Sequence, residues 1–239
     1  MNQHDYITLR IINASLREDV GGLVSTGRIT EQDDQQWLVY QAAQHKLRLA
    51  VRASDYMQRW QAIYPHWEVQ TLTGWQQQSG YTDWLAVLMP DQQDETRQLF
   101  ATYKEEADAA VIQGEMCATA FATQRETLLR APTSMHWGER LRHADQLASF
   151  LDHPYYPTAR AKFGFSEDDL RQYAPEFCPS FHLRWLALPR GQLSLTVPEA
   201  KPTWWPLPQQ VGLDARLQQD YELIPLHPLT LRHLSDLPA

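Results

Sequence analysis

The uneven placement of proline constrains this chain more than any other feature. Of 15 prolines, only Pro65, Pro90 and Pro132 precede residue 150, and the remaining 12 follow it. Proline fixes φ and has no N–H to donate, so long helices fit the first part and short strands and turns the second. Before residue 150 the apolar spacing agrees. Leu9, Ile12, Leu16 and Val20, with Ile11 beside them, form a helical stripe over residues 5–20 that Gly21-Gly22 ends. Trp37–Tyr40 and Leu47–Val51 read as two strands joined by a polar turn around Gln44–Lys46. Ala53–Ile63 has helical spacing up to Pro65, and 71–83 reads as a polar, glycine-punctuated loop. Asp91–Arg130, rich in Ala, Glu, Gln and Arg, is the longest helical tract, with Gly114 expected to split or bend it. Gly138–Leu151 reads as a further helix, with Leu141, Ala144, Leu147 and Leu151 on one face.

Beyond Asp152, Phe181–Leu188, Gln192–Val197 and Tyr221–Leu226 read as strands, and 198–208 as a rigid connector packed by Trp204 and Trp205. The expected fold class is therefore α+β: a mainly helical region, 1–150, with one early β-hairpin, then a strand-and-turn region, 151–239.

Composition narrows the function classes. With 43% hydrophobic residues, nine tryptophans and ten tyrosines, 239 residues can bury a sizeable core. A net charge of −8 without a basic run argues against nucleic acid as the main partner. Cys117 and Cys178 lack metal-ligand spacing and read as reduced thiols. The amphipathic start carries acids and no long apolar block, unlike a signal peptide, and the WLAVLM run at 84–89 is too short to span a bilayer. A cytoplasmic protein is the expectation.

Polar chemistry concentrates at DHPYYPTARAKFGF, residues 152–165. Pro154 and Pro157 stiffen a loop that carries His153, Thr158, Arg160 and Lys162. Arg160 and Lys162 are two apart, so extended backbone puts them on one face. Such a pair is either a solvated surface feature or a site for an oxyanion, which arginine grips through two oxygens. Ser166-Glu167-Asp168-Asp169 reads as a capping box whose acids start a helix rather than catalyse. Glu176, between Pro175 and Phe177, suits a buried hydrogen-bonding role or a ligand role equally. His227, after an apolar strand and between Pro225 and Pro228, is held rigidly at a strand end. His233 has no evident partner in the sequence. No phosphate-binding glycine loop, G-x-G-x-x-G, H-E-x-x-H or G-x-S-x-G motif is present, so any nucleotide must be held by side chains.

Three of these segments, in order, resemble the siderophore synthetases that work without nonribosomal peptide synthetases, the aerobactin-synthetase-like IucA/IucC family. Its G-H-P-x-H-P-x-x-K-x-R-x-G-F run is similar to residues 153–165, its Y-x-P-E-F element to Tyr173–Phe177, and its L-x-W-x-A strand to Leu183–Ala187. Pro225-Leu226-His227-Pro228 looks like its later P-V-H-P-W-Q motif. The resemblance implies a hand-like α+β architecture and ATP-dependent condensation of citrate or a related carboxylate with an amine or alcohol, magnesium accompanying the ATP. It implies that His153, Thr158, Arg160 and Lys162 line the nucleotide phosphates, with His227 and Glu176 on the cleft or near the substrate carboxylate.

This sequence departs from the pattern at three places. Asp152 replaces the glycine, Tyr156 replaces the second histidine, and the lysine and arginine exchange places as Arg160 and Lys162. Family members are roughly twice as long, and the resemblance extends to only the N-terminal half of one. Two readings follow: part of a split or truncated synthetase, completed by a partner chain or a homo-oligomer, or a non-catalytic relative that binds a carboxylate, a nucleotide or a synthetase partner.

Overall fold

The computed structural model describes residues 1–42, 45–54, 57–88, 94–130, 135–178, 180–194 and 201–235. These residues form two compact units. The larger contains Met1–Ser166 and Pro175–Phe177, and the smaller contains Glu167–Ala174 and Cys178–Ala239.

The larger unit begins with α1 (Gln3–Arg17). Asn2 caps it by accepting a hydrogen bond from the Asp5 N–H at 2.7 Å, with Asp5 in the first turn and Arg17 in the last, matching the helix dipole. Its buried stripe is Ile7, Ile11, Ile12 and Leu16, joined by Thr8 and Ser15. This stripe is rotated from the sequence expectation, and Leu9 and Val20 pack at its margin. The chain leaves the helix through Gly21 and Gly22, both at positive φ, where the Gly21 carbonyl accepts the Tyr40 hydroxyl at 2.6 Å.

Six antiparallel strands follow: β1 (Arg28–Gln32), β2 (Gln35–Gln41), β3 (Lys46–Ala53), β4 (Trp60–Ala62), β5 (His66–Thr71) and β6 (Gly74–Ser79). Their order is β1-β2-β3-β5-β6, with β4 also paired to β3. The expected pair β2–β3 is present, with Leu38 opposite Leu49 and Tyr40 opposite Leu47. It is the centre of a larger sheet rather than a lone hairpin. β1 is exposed along its whole length, so no apolar alternation announces it. It is fixed instead by the two-residue turn Asp33-Asp34, both at positive φ as a tight hairpin turn requires.

Most of the expected loop at 71–83 is likewise strand. Thr71 pairs with Gly74 around a two-residue turn, and β6 carries Gln76, Gln77 and Gln78. A sheet edge needs backbone pairing rather than apolar side chains, so glutamines occupy it without a hydrophobic signal. The expected helix over 53–63 is replaced by β4, whose Ala62 lies buried opposite Val51; residues 55 and 56 of that range lie outside the described residues.

α2 (Tyr81–Leu88) and α3 (Asp94–Leu129) complete the core with α1. Trp67 of β5 meets Trp84 of α2 edge-on, ring centroids 5.1 Å apart, and the Trp84 indole donates to Ser15 Oγ at 3.0 Å. α3 runs unbroken for 36 residues through Gly114. The glycine lies against the Gln3 side chain, whose Oε1 would stand 2.6 Å from a β-carbon placed there. α4 (Trp137–Ser149) follows, over most of the helix expected at 138–151.

The smaller unit holds α5 (Glu167–Tyr173), β7 (Arg184–Pro189), β8 (Tyr221–Leu226) and α6 (Pro228–Ser235). β7 and β8 pair antiparallel, Leu186 opposite Ile224. Trp185 of β7 packs on Trp205, centroids 5.0 Å apart, and Trp205 on Trp204 at 5.6 Å. Of the expected strand at 192–197, Leu193 and Ser194 are not strand and residues 195–197 lie outside the described residues, as do 198–200 of the connector. Together these elements are α+β with antiparallel pairing throughout.

Two glycines separate sharply in this packing. Gly114→Ala meets only the tip of a flexible glutamine and gains helix propensity, so it is expected to stabilise by about 0.5–1 kcal/mol. Gly27→Ala would place its β-carbon 2.3 Å from the Leu23 carbonyl oxygen and 2.8 Å from Leu38 Cδ1, and is expected to destabilise by about 1–3 kcal/mol. Urea denaturation of the two variants against the parent checks both signs.

Candidate functional site

The 152–165 loop has no sheet to satisfy its carbonyls, because its prolines exclude a regular ladder. Two arginines of α1, seven residues apart and hence on one face, supply the donors. Arg10 Nη2 donates to the carbonyls of His153 and, at 2.7 Å, Tyr156. Arg17 Nη2 donates to the Tyr155 carbonyl at 3.2 Å, and its guanidinium stacks over the Tyr155 ring at 5.3 Å. The His153 imidazole turns inward on its own loop, its Nδ1 accepting from the N–H groups of Tyr155 at 3.2 Å and Tyr156 at 2.8 Å. The loop is thus preset by charge-assisted bonds before any ligand arrives.

The four loop candidates differ in their surroundings. His153 is exposed and Thr158 is fully buried. Arg160 donates to the Phe150 carbonyl, and its Nε lies 3.7 Å from Asp152 Oδ2. Lys162 Nζ lies 2.6 Å from Oε1 of Glu176, a residue only 3% exposed. The Lys162 backbone is pinned to α3, its N–H donating to Gln113 Oε1 at 3.0 Å and its carbonyl accepting from Gln113 Nε2 at 3.3 Å. Arg160, Lys162 and Glu176 all act electrostatically on Cys117 of α3, whose thiol pKa is raised, first by burial and in part by Glu176. Tyr156, which replaces a family histidine, donates to Glu106 Oε1 at 2.7 Å, and this bond foremost raises its pKa. Both candidate cations are therefore matched by acids of the same unit, Arg160 by Asp152 and Lys162 by Glu176. Beside them a cleft of about 650 Å³ is lined by Gly114, Cys117, Phe121, Phe150, Asp152 and Arg160 among others.

His227 belongs to the smaller unit. It is the single residue between β8 and α6, its Nδ1 accepting from the Leu229 N–H at 3.2 Å, and its ring stands edge-on to Tyr173 at 5.2 Å and Phe181 at 4.4 Å. Asp169, read as a helix-start acid, also forms a two-pronged pair with Arg232 of α6 at 2.8 and 2.9 Å. Sequence reasoning passed over Glu222, which is buried on β8 against Lys201 and, at 3.2 Å, Arg190. A charged residue inside the apolar run Tyr221–Leu226 was its one signal. Arg10 and Arg17 were also missed, and only their seven-residue spacing marked them.

Among the described residues no group of three or more His, Cys, Asp or Glu is arranged to hold a metal ion. No helix among them is long and apolar enough to cross a membrane.

This α+β architecture is that of the siderophore synthetase structures. ATP-bound aerobactin synthetase IucA from Klebsiella pneumoniae superposes with a TM-score of 0.59 at 19% identity, over 98% of this chain and 41% of that one. The petrobactin biosynthesis protein AsbB from Bacillus anthracis gives 0.57 at 14% identity, over 98% and 40%. In sequence, residues 140–239 match the IucA / IucC family model. The L-2,3-diaminopropanoate–citrate ligase of Staphylococcus aureus is 36% identical over 92 residues, 37% of this chain and 16% of that protein. Staphyloferrin B synthase of the same organism is 26% identical along 98% of this chain and 39% of its own length. The resemblance read from the motifs is borne out, since all of the motif-bearing segments lie within the residues that match the IucA / IucC family model. The chain spans about two fifths of the length of the relatives it matches from end to end.

The Glu222 cluster carries a pH signature. Burial alone would raise the Glu222 pKa, but the Lys201 and Arg190 charges and the Leu223 N–H hold it below the ordinary glutamate value. A depressed folded-state pKa gives stability that is present above the unfolded pKa and is lost as pH falls through the folded one. Glu222→Gln is therefore expected to destabilise at pH 7, the gap to wild type closing below about pH 4. Thermal melts of both proteins across pH 3–7 check this.

Proposed function

We propose that this chain carries part of the working fold of an ATP-dependent siderophore synthetase. In this reading the carboxylate of a citrate-like acid attacks the α-phosphorus of ATP and pyrophosphate leaves. An amine or alcohol then attacks the acyl carbon, and AMP departs. The chemistry belongs in the cytoplasm, where ATP is available. The names of the relatives support the reading, since one is a citrate ligase and others are siderophore synthases or synthetases.

The observation that carries the proposal is the preset loop: two cations, Arg160 and Lys162, anchored on a stiff segment inside the family-matched residues. Their donor set suits a triphosphate, which would exchange the intramolecular carboxylates Asp152 and Glu176 for phosphate oxygens. Magnesium would arrive coordinated by the phosphates rather than in a cage of this chain's side chains. His153 and Thr158 complete the phosphate-facing set in this proposal, with Glu176 holding Lys162 by its ion pair.

The pairing of both cations with acids also favours a second reading. A locally neutral cluster holds no excess charge for a polyphosphate, as befits a relative that binds a carboxylate or a synthetase partner without catalysis.

Citrate-dependent exchange of pyrophosphate into ATP, with and without a polypeptide bearing the remainder of a synthetase, separates the two. Exchange that needs both chains supports the first reading, and ATP binding and exchange absent under both conditions support the second. The Arg160→Ala, Lys162→Ala double variant should weaken Mg-ATP binding at least tenfold by calorimetry, since a charge-assisted bond contributes about 1.5–3 kcal/mol. It should also cost stability, because it leaves Glu176 buried without its counter-ion. Asp152→Gly should tighten ATP binding by removing an anion beside Arg160.

A further inference from the structure

The sheet of the larger unit ends at β6, and no further strand among the described residues pairs with its outer side. Its sequence, Gly74-Trp75-Gln76-Gln77-Gln78-Ser79, carries neither charge nor proline, and its pairing with β5 runs from Thr71–Gly74 to His66–Ser79 without a bulge. Open edges in natural sheets are normally blunted by charge, proline, bulges or shortness, because an unpaired row of N–H and C=O groups invites another strand. The other edges here follow that rule. β1 carries Arg28 and Glu31, β4 is three residues long, β7 begins at Arg184 and ends at Pro189, and β8 contains Glu222 and Pro225. β6 departs from it, with Gln76, Gln77 and Ser79 exposed.

The turn fixes which groups point outward. In a tight turn the last N–H donates to the first carbonyl, so Thr71 and Gly74 bond each other, and bonded pairs alternate from there. Gln76 and Gln78 therefore bond β5, whereas Trp75, Gln77 and Ser79 turn their N–H and C=O groups away from it. The strand is also held in place. The Arg48 guanidinium lies 4.6 Å from the Trp75 ring centroid, and Arg48 is paired at 2.5 Å with Glu68, the residue opposite Gln77 on β5.

We propose that β6 is a dimer interface, where a second copy of this chain adds the same strand antiparallel about a two-fold axis beside Gln77. An axis perpendicular to the sheet keeps every side chain on its own face, so only residues an even number apart can stand opposite one another. Centring on Gln77 sets Gln77 against the partner's Gln77, Trp75 against the partner's Ser79 and Ser79 against the partner's Trp75. All of these have outward-facing backbone groups, and each pair exchanges two N–H···O bonds. Centring on Gln76 or Gln78 leaves only two such pairs. Between the bonded pairs, Gln76 stands opposite the partner's Gln78, and glutamine amides both donate and accept, so like meets like. Glu68 is already neutralised by Arg48, so no bare like charges face each other across the axis. This self-complementarity is what selects a second copy as the occupant. The inference does not depend on the synthetase reading.

The test is analytical ultracentrifugation of the whole chain as wild type, Gln77→Lys and Gln77→Glu. Wild type is expected to sediment as a dimer that dissociates on dilution. Each variant places like charges directly opposite across the axis and is expected to sediment as a monomer. Its circular dichroism should match wild type, since Gln77 is exposed and its N–H is not used by β5. An equimolar mixture of the two variants restores the dimer, because opposite charges then meet. Hydrogen exchange supplies a readout that needs no variant. The amides of Trp75, Gln77 and Ser79 should gain protection as wild-type concentration rises, while those of Gln76 and Gln78 stay protected throughout. A wild type that is monomeric at every concentration, a dimer that survives either single change, or a mixture that stays monomeric overturns the proposal.

Discussion

The proline-stiffened loop between α4 and α5 presents bare carbonyls that no strand can pair, and the guanidinium groups of α1 satisfy them. This constraint orders much of the larger unit. α1 must bury Ile7, Ile11, Ile12 and Leu16 against sheet and helices on one side. On the other it must hold Arg10 and Arg17 against the carbonyls of His153, Tyr155 and Tyr156. The same helix therefore carries the core and the scaffold of the candidate site. A loop fixed in this way loses little conformational freedom when it meets a ligand, which is the physical meaning of preorganisation.

Charge pairing then distinguishes this site from a simple anion hole. Arg160 and Lys162 each have an acid beside them, and Glu176 is buried enough that its charge requires the partner. Two of the sequence's departures from the family pattern are involved. Asp152 in place of glycine supplies the counter-ion for Arg160, and Tyr156 in place of histidine ties the loop to Glu106 of α3. Both substitutions strengthen bonds within the chain at the expense of charge left over for a ligand. Whether the cluster serves a triphosphate or an intramolecular structural role is decided by which bonds are stronger, the internal ones or those to phosphate.

The smaller unit shows the same use of buried acids. Glu222 on β8 is balanced by Lys201 and Arg190, and Asp169 on α5 is joined to Arg232 on α6. Such pairs contribute little net stability relative to apolar packing, but breaking one leaves a costly bare charge. They therefore fix which elements meet. Around them the Trp185, Trp204 and Trp205 rings supply apolar area to a unit with only one pair of strands among the described residues.

The sequence by itself determined the α+β class, the long helices ahead of the proline-dense region, the β2–β3 pair, the β8 strand and the family motifs. Each of these is local: apolar period, capping residues and prolines act within a few positions of themselves. Only the tertiary structure decided the rest. β1 and β6 are edge strands held by backbone pairing, so exposed or glutamine-rich residues fill them without any periodic signal. Gly114, which local propensity marks as a helix breaker, is instead a contact point for Gln3. The partners of Arg160, Lys162 and Glu176, and the loop carbonyls that Arg10 and Arg17 hold, lie 8 to 146 residues away in the chain, the shortest separation being that of Asp152 and Arg160. A motif fixes which groups a loop carries, whereas packing fixes which charge stands beside each of them, and the chemistry of this site depends on the second.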